Sequence, residues 1–205
     1  LDSTPTFEAP LVSLTVVASK TQAPAGEPLT LVGTIHVAEG WVFYSAAPGD
    51  GPLPARVTIP HAEVSHGEVT WSAPVAHPTD LGGGEIETYH VYEDEGRFSM
   101  TTQRTLAVAN SYYILVQLRG QVCSDVTQQC VAINEQVKIT IPGGPALDNP
   151  AFTPLVGGYT KAQLEAGEGV AVVELTAIDA PSWSIWTGLV AALLAGLVLN
   201  IMPCV

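Results

Sequence analysis

The chain has 205 residues, with 7 Lys and Arg against 20 Asp and Glu, for a formal net charge of −13. That length suits one medium domain or two small ones, and so acidic a balance argues against nucleic acid, whose phosphates need a basic footprint. The apolar content is unevenly spread: no charged residue follows Ser182, so an acidic, water-soluble piece precedes a greasy tail.

No signal-peptide pattern opens the chain, which reads as a mature or trimmed end. Residues 1–10 read as a flexible lead-in. Leu11 to Lys20 and Leu29 to Val37 are β-branched runs with partial alternation, separated by the turn-rich TQAPAGEP. Gly40 to Tyr44 follows, then the breaker stretch SAAPGDGPLP. Further short strands are expected at Arg56–Ile59, Glu68–Trp71, Gly96–Thr101, Thr105–Ala109, Tyr112–Arg119 and Val131–Ile141. Turn signals recur every 8–12 residues or so, the spacing of an antiparallel sandwich. The expected fold is therefore all-β: an immunoglobulin-like antiparallel β-sandwich over residues 11–142, large enough to bury a core. Residues 143–182 read as a linker, with a short helix at Thr160–Glu168 and a strand at Val170–Ala177.

Trp183 to Val205 reads as the start of a transmembrane helix. A bilayer core of about 30 Å needs about 20 apolar residues at the helical rise, and this run supplies them. A buried core helix would carry a polar stripe, and this segment has none. Trp183 and Trp186 suit the interfacial aromatic belt.

The three cysteines are Cys123, Cys130 and Cys204. The first two lie in GQVCSDVTQQCVAINE, between two expected strands, so the chain between them must turn back. A hairpin brings such a pair within bridging distance. Two readings stay open from spacing alone: a passive staple across the hairpin, or a reactive bridge in an accessible loop. A closed loop of eight residues contributes about 2.5 kcal/mol in the chain-entropy treatment, a small staple for a domain with its own core. Cys204 directly follows Pro203 in the apolar span. Proline opens the helical hydrogen-bond ladder, so this thiol can line a cavity; a lone membrane cysteine also serves as a small apolar filler.

Taken together, these parts resemble the thiol:disulfide interchange protein DsbD family. The span motif Asn200-Ile-Met-Pro-Cys-Val205, the segment Gly120-Gln-Val-Cys-Ser-Asp125, and His90-Val-Tyr-Glu-Asp before Gly96-Arg-Phe98 carry the likeness, which runs from about Phe7 to Val205. The resemblance implies a relay of reducing equivalents from a membrane domain to periplasmic oxidoreductases, in a protein held in the bacterial inner membrane. Cys123 and Cys130 are then the catalytic shuttling pair, Cys130 forming mixed disulfides with partners and Cys123 resolving them. Cys204 is a membrane redox residue paired with a cysteine beyond this sequence. The implied partners are thioredoxin-fold proteins: the family's own C-terminal domain, a periplasmic disulfide isomerase and a cytochrome c maturation thioredoxin. No cofactor beyond the redox-active disulfide is implied.

Two departures from the family pattern stand out. Six residues separate the cysteines, where four or five are usual, and Val131-Ala132-Ile133 stands where prolines are common. The shielding cap is expected at Leu81–Tyr89, with Gly82, Gly83 and Gly84 as hinge, Ile86 or Tyr89 as the covering side chain, and Tyr44 contributing to docking.

Among cations only Arg119 stands near the pair in sequence, with Asp125 and Glu135 opposing it. The thiols are therefore expected to keep near-normal or raised pKa values, depending on a docked partner for reactivity. The five histidines show no ligand spacing, so no metal site is expected. Two other classes of function compete with exchange: a membrane-anchored immunoglobulin-like binding module with a structural bridge, and a copper-handling ectodomain using the soft thiolates.

Overall fold

The structure is a computed structural model that describes residues 10–170, apart from 25, 81–85, 105–110 and 125. Residues 1–9 of the expected lead-in, the strand at Thr105–Ala109, most of the strand at Val170–Ala177, and the span at 183–205 with Cys204 lie outside the described residues. Among the described residues no helix is long and apolar enough to cross a membrane.

The β-branched run at the start of the domain forms β1 (Val12–Ala18) and β2 (Lys20–Gln22), and the next forms β3 (Leu29–Val37). Three short strands follow: β4 (Val42–Tyr44), β5 (Arg56–Thr58) and β6 (Val64–His66). The middle of the chain gives β7 (Thr70–Trp71), β8 (Val75–Asp80), β9 (Ile86–Tyr92) and β10 (Glu95–Arg104). Two long strands, β11 (Ser111–Ser124) and β12 (Gln129–Pro142), precede β13 (Leu147–Asp148), β14 (Tyr159–Thr160) and the short helix α1 (Lys161–Glu165).

Every described strand pair is antiparallel. One sheet runs β1-β3-β10-β7-β14, with β6 also on β10; a second runs β12-β11-β4-β9-β8, with β5 also on β11; and β13 and β2 form a small third. This is the immunoglobulin-like sandwich that the spacing of turns predicts. Alternation decides which side chains meet between the sheets. Leu31, Ile35 and Phe98 from the first sheet, and Phe43, Ile114, Val116, Leu118 and Val122 from the second, are buried in one core cluster. Burying a side chain of this kind contributes about 1.5–3 kcal/mol, so this cluster dominates the stability of the domain. Gly33 sits opposite Phe98 in the ladder, and a Cβ built on it would lie 2.1 Å from Phe98 Cζ. Only glycine leaves room for that ring.

Residues 143–168 differ from the linker reading. They return along the sandwich and are fastened to it. Leu147 and Asp148 pair with β2, the Asn149 side chain donates to Ala18 O at 2.9 Å, and Arg97 Nη2 donates to Thr153 O at 3.1 Å. Tyr159 and Thr160 then pair with β7. A capping box at Thr160 starts α1, whose Leu164 is only 1% exposed and belongs to the core. Glycine and proline remove periodicity from this stretch without removing its backbone donors and acceptors, and the sandwich satisfies those. Across a cavity of about 300 Å³, α1 faces the loop Ala46–Pro54 that follows β4.

Candidate functional site

The site is built on the β11–β12 hairpin. Its ladder runs without a slip from Ser111↔Pro142 to Ser124↔Gln129, which sets Cys123 directly opposite Cys130. Directly opposed residues share a face. The tip is closed by Gln128 N–H donating to Ser124 O at 2.7 Å and Thr127 N–H donating to Ser124 Oγ at 3.3 Å. Gln128 takes the left-handed conformation, φ 54°, that turns the chain back. The two Cα atoms are 4.1 Å apart and the sulfurs are bonded. A short separation of this kind belongs to opposed strand residues that do not exchange hydrogen bonds.

The bridge is not part of the main core. Along β11, Tyr112, Ile114, Val116, Leu118 and Val122 point inward, and Cys123 falls on the other face. There it joins a second apolar cluster with Val42 and Tyr44 of β4 and Tyr89 and Val91 of β9. The two cysteines are unequally sheltered. Cys123, on an inner strand of its sheet, is 6% exposed, whereas Cys130, on the edge strand β12, is exposed. The sulfur of the edge cysteine belongs to the residue that an incoming protein can reach.

The aromatic residues expected to serve the site are placed differently from one another. Tyr44 and Tyr89 are both buried and meet edge to face, ring centres 5.6 Å apart. Tyr89 is a strand residue of β9 rather than part of a loop, and Ile86, which opens that strand, is 69% exposed. The Gly82–Gly84 hinge lies outside the described residues. The Tyr89 hydroxyl donates to Glu87 Oε2 at 2.5 Å. That acceptor carboxylate, then burial, push the Tyr89 phenol up to about 12. Trp41 packs partly buried against the main core.

Arg119, the cation expected to influence the thiols, stands on β11 at the Arg56 and Asn134 register. It precedes Cys123 by four residues, about 13 Å along a strand, beyond the reach of a direct contact. What does touch the sulfur is Gln121. Its Nε2 donates to Cys123 Sγ at 3.3 Å, while its Oε1 accepts from Leu53 N–H at 3.2 Å. Composition and spacing single out no role for Gln121, although strand alternation carries the signal: a residue two before Cys123 shares its face. No group of three or more His, Cys, Asp or Glu among the described residues is placed to hold a metal.

Residues 11–142 match the family described as Thiol:disulfide interchange protein DsbD, N-terminal. No curated protein matches the chain. Among solved structures, the N-terminal periplasmic domain of ScsB from Proteus mirabilis is 16% identical, with TM-score 0.44, covering 76% of this chain and 51% of that one. The Neisseria meningitidis DsbD N-terminal domain in its reduced form is 17% identical, with TM-score 0.36, covering 62% of this chain and 89% of that one. The chain thus spans about half the length of the ScsB domain it matches. Because the family match takes in both bridging cysteines and most of the sequence, the chain belongs to the family of DsbD N-terminal thiol:disulfide interchange domains.

Proposed function

We propose that the chain works as a protein-disulfide reductase, exchanging its Cys123–Cys130 bridge with the cysteines of thioredoxin-fold proteins. One observation carries this reading: the bridge joins a sheltered sulfur-bearing residue to an exposed one, on the sheet face away from the main core. A structural staple has no need of an accessible half, whereas exchange requires one.

The steps follow from that asymmetry. A partner thiolate attacks Cys130 Sγ, the sulfur–sulfur bond opens, and its electron pair stays on Cys123 Sγ. A second partner thiolate then breaks the mixed disulfide, leaving the partner oxidised and the domain as a dithiol. In the delivering direction Cys130 attacks the substrate disulfide and Cys123 resolves the mixed disulfide. Tyr44, Tyr89 and Val91 shelter Cys123 from unrelated oxidants during the cycle, and exposed Ile86 takes part in docking. On this reading the domain lies in the periplasm. It is tethered by residues 183–205, takes electrons from the family's own C-terminal domain, and passes them to a disulfide isomerase or a cytochrome c maturation thioredoxin. Cys204 belongs to the membrane stage of the relay.

The test uses Cys123→Ser and Cys130→Ser, each combined with Cys204→Ala, and a single-cysteine thioredoxin-fold partner activated as an aromatic mixed disulfide. Cys123→Ser is expected to release the coloured thiol and accumulate a stable protein–protein disulfide through Cys130. Cys130→Ser is expected to react at least about tenfold more slowly, because a thiol must be accessible to attack. Equal rates would refute the assignment of roles. A wild-type bridge that resists a reduced thioredoxin-fold donor, in an alkylation gel shift, would refute the function itself.

A further inference from the structure

We propose that Gln121 is a catalytic residue of this exchange site, its side-chain amide stabilising the Cys123 thiolate each time the bridge opens. The inference rests on the exchange reading above and adds to it a group that the pair itself does not supply. Three observations lead to it.

The first is contact: Gln121 Nε2 lies 3.3 Å from Cys123 Sγ. The second is orientation. A glutamine amide can present either its oxygen or its NH2 to a neighbour, and the surroundings decide which. Here the backbone N–H of Leu53 can only donate, and it donates to Gln121 Oε1 at 3.2 Å. The carbonyl end is therefore held by the loop Ala46–Pro54, and the NH2 end is turned to the sulfur. The third is the distance of the arginines that share this sheet face among the described residues, Arg56 and Arg119, which stand opposite each other. Arg119 stands four residues back on the same strand, about 13 Å away, where screening leaves little of its field.

In the oxidised domain the acceptor is a disulfide sulfur, which accepts weakly. The chemistry changes when a thiolate of a thioredoxin-fold dithiol attacks Cys130 Sγ. A bond forms between the partner sulfur and Cys130 Sγ, the Cys123–Cys130 bond breaks, and the electron pair is left on Cys123 Sγ. That sulfur is now an anion inside an apolar cluster of Val42, Tyr44, Tyr89 and Val91. Burial disfavours the charge, and a donor already aimed at the sulfur offsets the cost. A lower thiolate pKa makes the better leaving group. The partner's second thiolate then displaces Cys130, oxidising the partner. Cys123 and Cys130 take up protons from water as their pKa values dictate. In the delivering direction the same amide keeps a larger share of Cys123 as the resolving thiolate.

Other ionisable groups share this sheet face. They include Tyr44 on β4, Arg56 on β5, His77 on β8, Glu87 and Tyr89 on β9, Tyr113 on β11, Lys138 on β12, Asp50 in the loop Ala46–Pro54, and Glu93 just after β9, where His77 Nδ1 lies 3.3 Å from Glu93 Oε1. Arg119 is on β11 itself. Glu87 is occupied by the Tyr89 hydroxyl and Glu93 by His77, and their negative charge raises rather than lowers a nearby thiol pKa. Gln121 is the group whose contact with the sulfur favours the anion.

The test isolates Cys123 in the full chain, kept in detergent, by combining Cys130→Ser with Cys204→Ala, since the sequence has three cysteines. The pH dependence of iodoacetamide alkylation, followed by mass, gives the Cys123 pKa. Gln121→Met keeps the length and loses the donor, and is expected to raise that pKa by about one unit, a tenfold loss of thiolate at neutral pH. Gln121→Glu puts a carboxylate at the sulfur and is expected to raise it further. Circular dichroism checks the fold of each variant; if methionine perturbs it, Gln121→Leu, also neutral and without a donor, takes its place with the same expected rise. Unchanged Cys123 titration in the folded variants overturns the inference. Exchange between the wild-type bridge and a thioredoxin-fold dithiol, measured in parallel, separates the two claims. Normal exchange with an unshifted pKa sinks Gln121 alone, whereas a shifted pKa with no exchange sinks the reductase reading and leaves the amide–thiolate contact standing.

Discussion

Replacing both bridge cysteines, Cys123→Ala with Cys130→Ala, asks whether the bond holds the fold or serves chemistry. The covalent contribution follows from loop length. The closed loop runs from Cys123 to Cys130, eight residues, so the chain-entropy treatment assigns it about 2.5 kcal/mol. Losing the Cys123 sulfur from its cluster with Val42, Tyr44, Tyr89 and Val91 adds about 1 kcal/mol of apolar burial. Nothing larger is at stake, because the hairpin is held by its long ladder and by β4 and β5 on the far side of β11. The main core does not include the bridge. The double variant should therefore lose about 2–3.5 kcal/mol in urea unfolding, with an unchanged m-value and native near-ultraviolet dichroism. A loss above about 5 kcal/mol, or a transition that is no longer cooperative, would mean that the bridge is a structural staple and would remove the physical basis for exchange.

Three further outcomes follow from the geometry. Gly33→Val drives a side chain into Phe98, which is fully buried, and should lower stability by about 2–3 kcal/mol, read as a fall in melting temperature. Leu164→Ala empties the anchor of the segment 143–168. It should cost about 2–5 kcal/mol locally and raise amide exchange and protease cleavage within that segment before the sandwich itself opens. The Tyr89 phenol is pushed up to about 12 by its bond to Glu87 and by burial, so the folded state holds its proton more tightly than the unfolded chain. Its contribution to stability is complete below the unfolded value near 10 and is lost as pH rises through about 12. Urea midpoints compared across that window should fall less steeply in Tyr89→Phe than in the wild type.

Much of the sandwich is legible in the sequence where strands obey simple patterning. Leu29–Val37 is rich in β-branched residues and forms β3 over those residues. The long pair β11 and β12 is expected too short, because Gly120 and the polar residues around the cysteines hide a ladder that continues to Ser124 and Gln129. β8 escapes the reading altogether. Its Pro78 breaks the pattern, yet β8 lies at a sheet edge, where a missing N–H is tolerated. The fastened segment 143–168 is unreadable for a related reason: it is held by backbone pairings, isolated side-chain hydrogen bonds and a buried leucine, none of which leaves a periodic trace.

The site divides in the same way. The turn between Cys123 and Cys130 makes their meeting visible from spacing. Their unequal exposure is not visible, since it depends on which strand lies at the sheet edge. Tyr89 reads as a loop side chain because the glycines before it dominate the local pattern, and only pairing with β8 and packing on Tyr44 reveal it as a strand residue. Gln121 lies between these cases. Its position beside Cys123 follows from alternation, but the Leu53 backbone that orients it comes from a distant loop.

The ladder of the β11–β12 hairpin also bears on how such a domain tolerates change. Alignment of the two sulfurs is fixed upstream by the zipped backbone that runs from Ser111↔Pro142 to Val122↔Val131, not by the apex beyond them. The apex can therefore gain or lose residues while the cysteines stay level. A one-position slide of β12 would instead rotate Cys130 to the opposite side and abolish the bond. Natural variation should be free at the crest and forbidden along the rails.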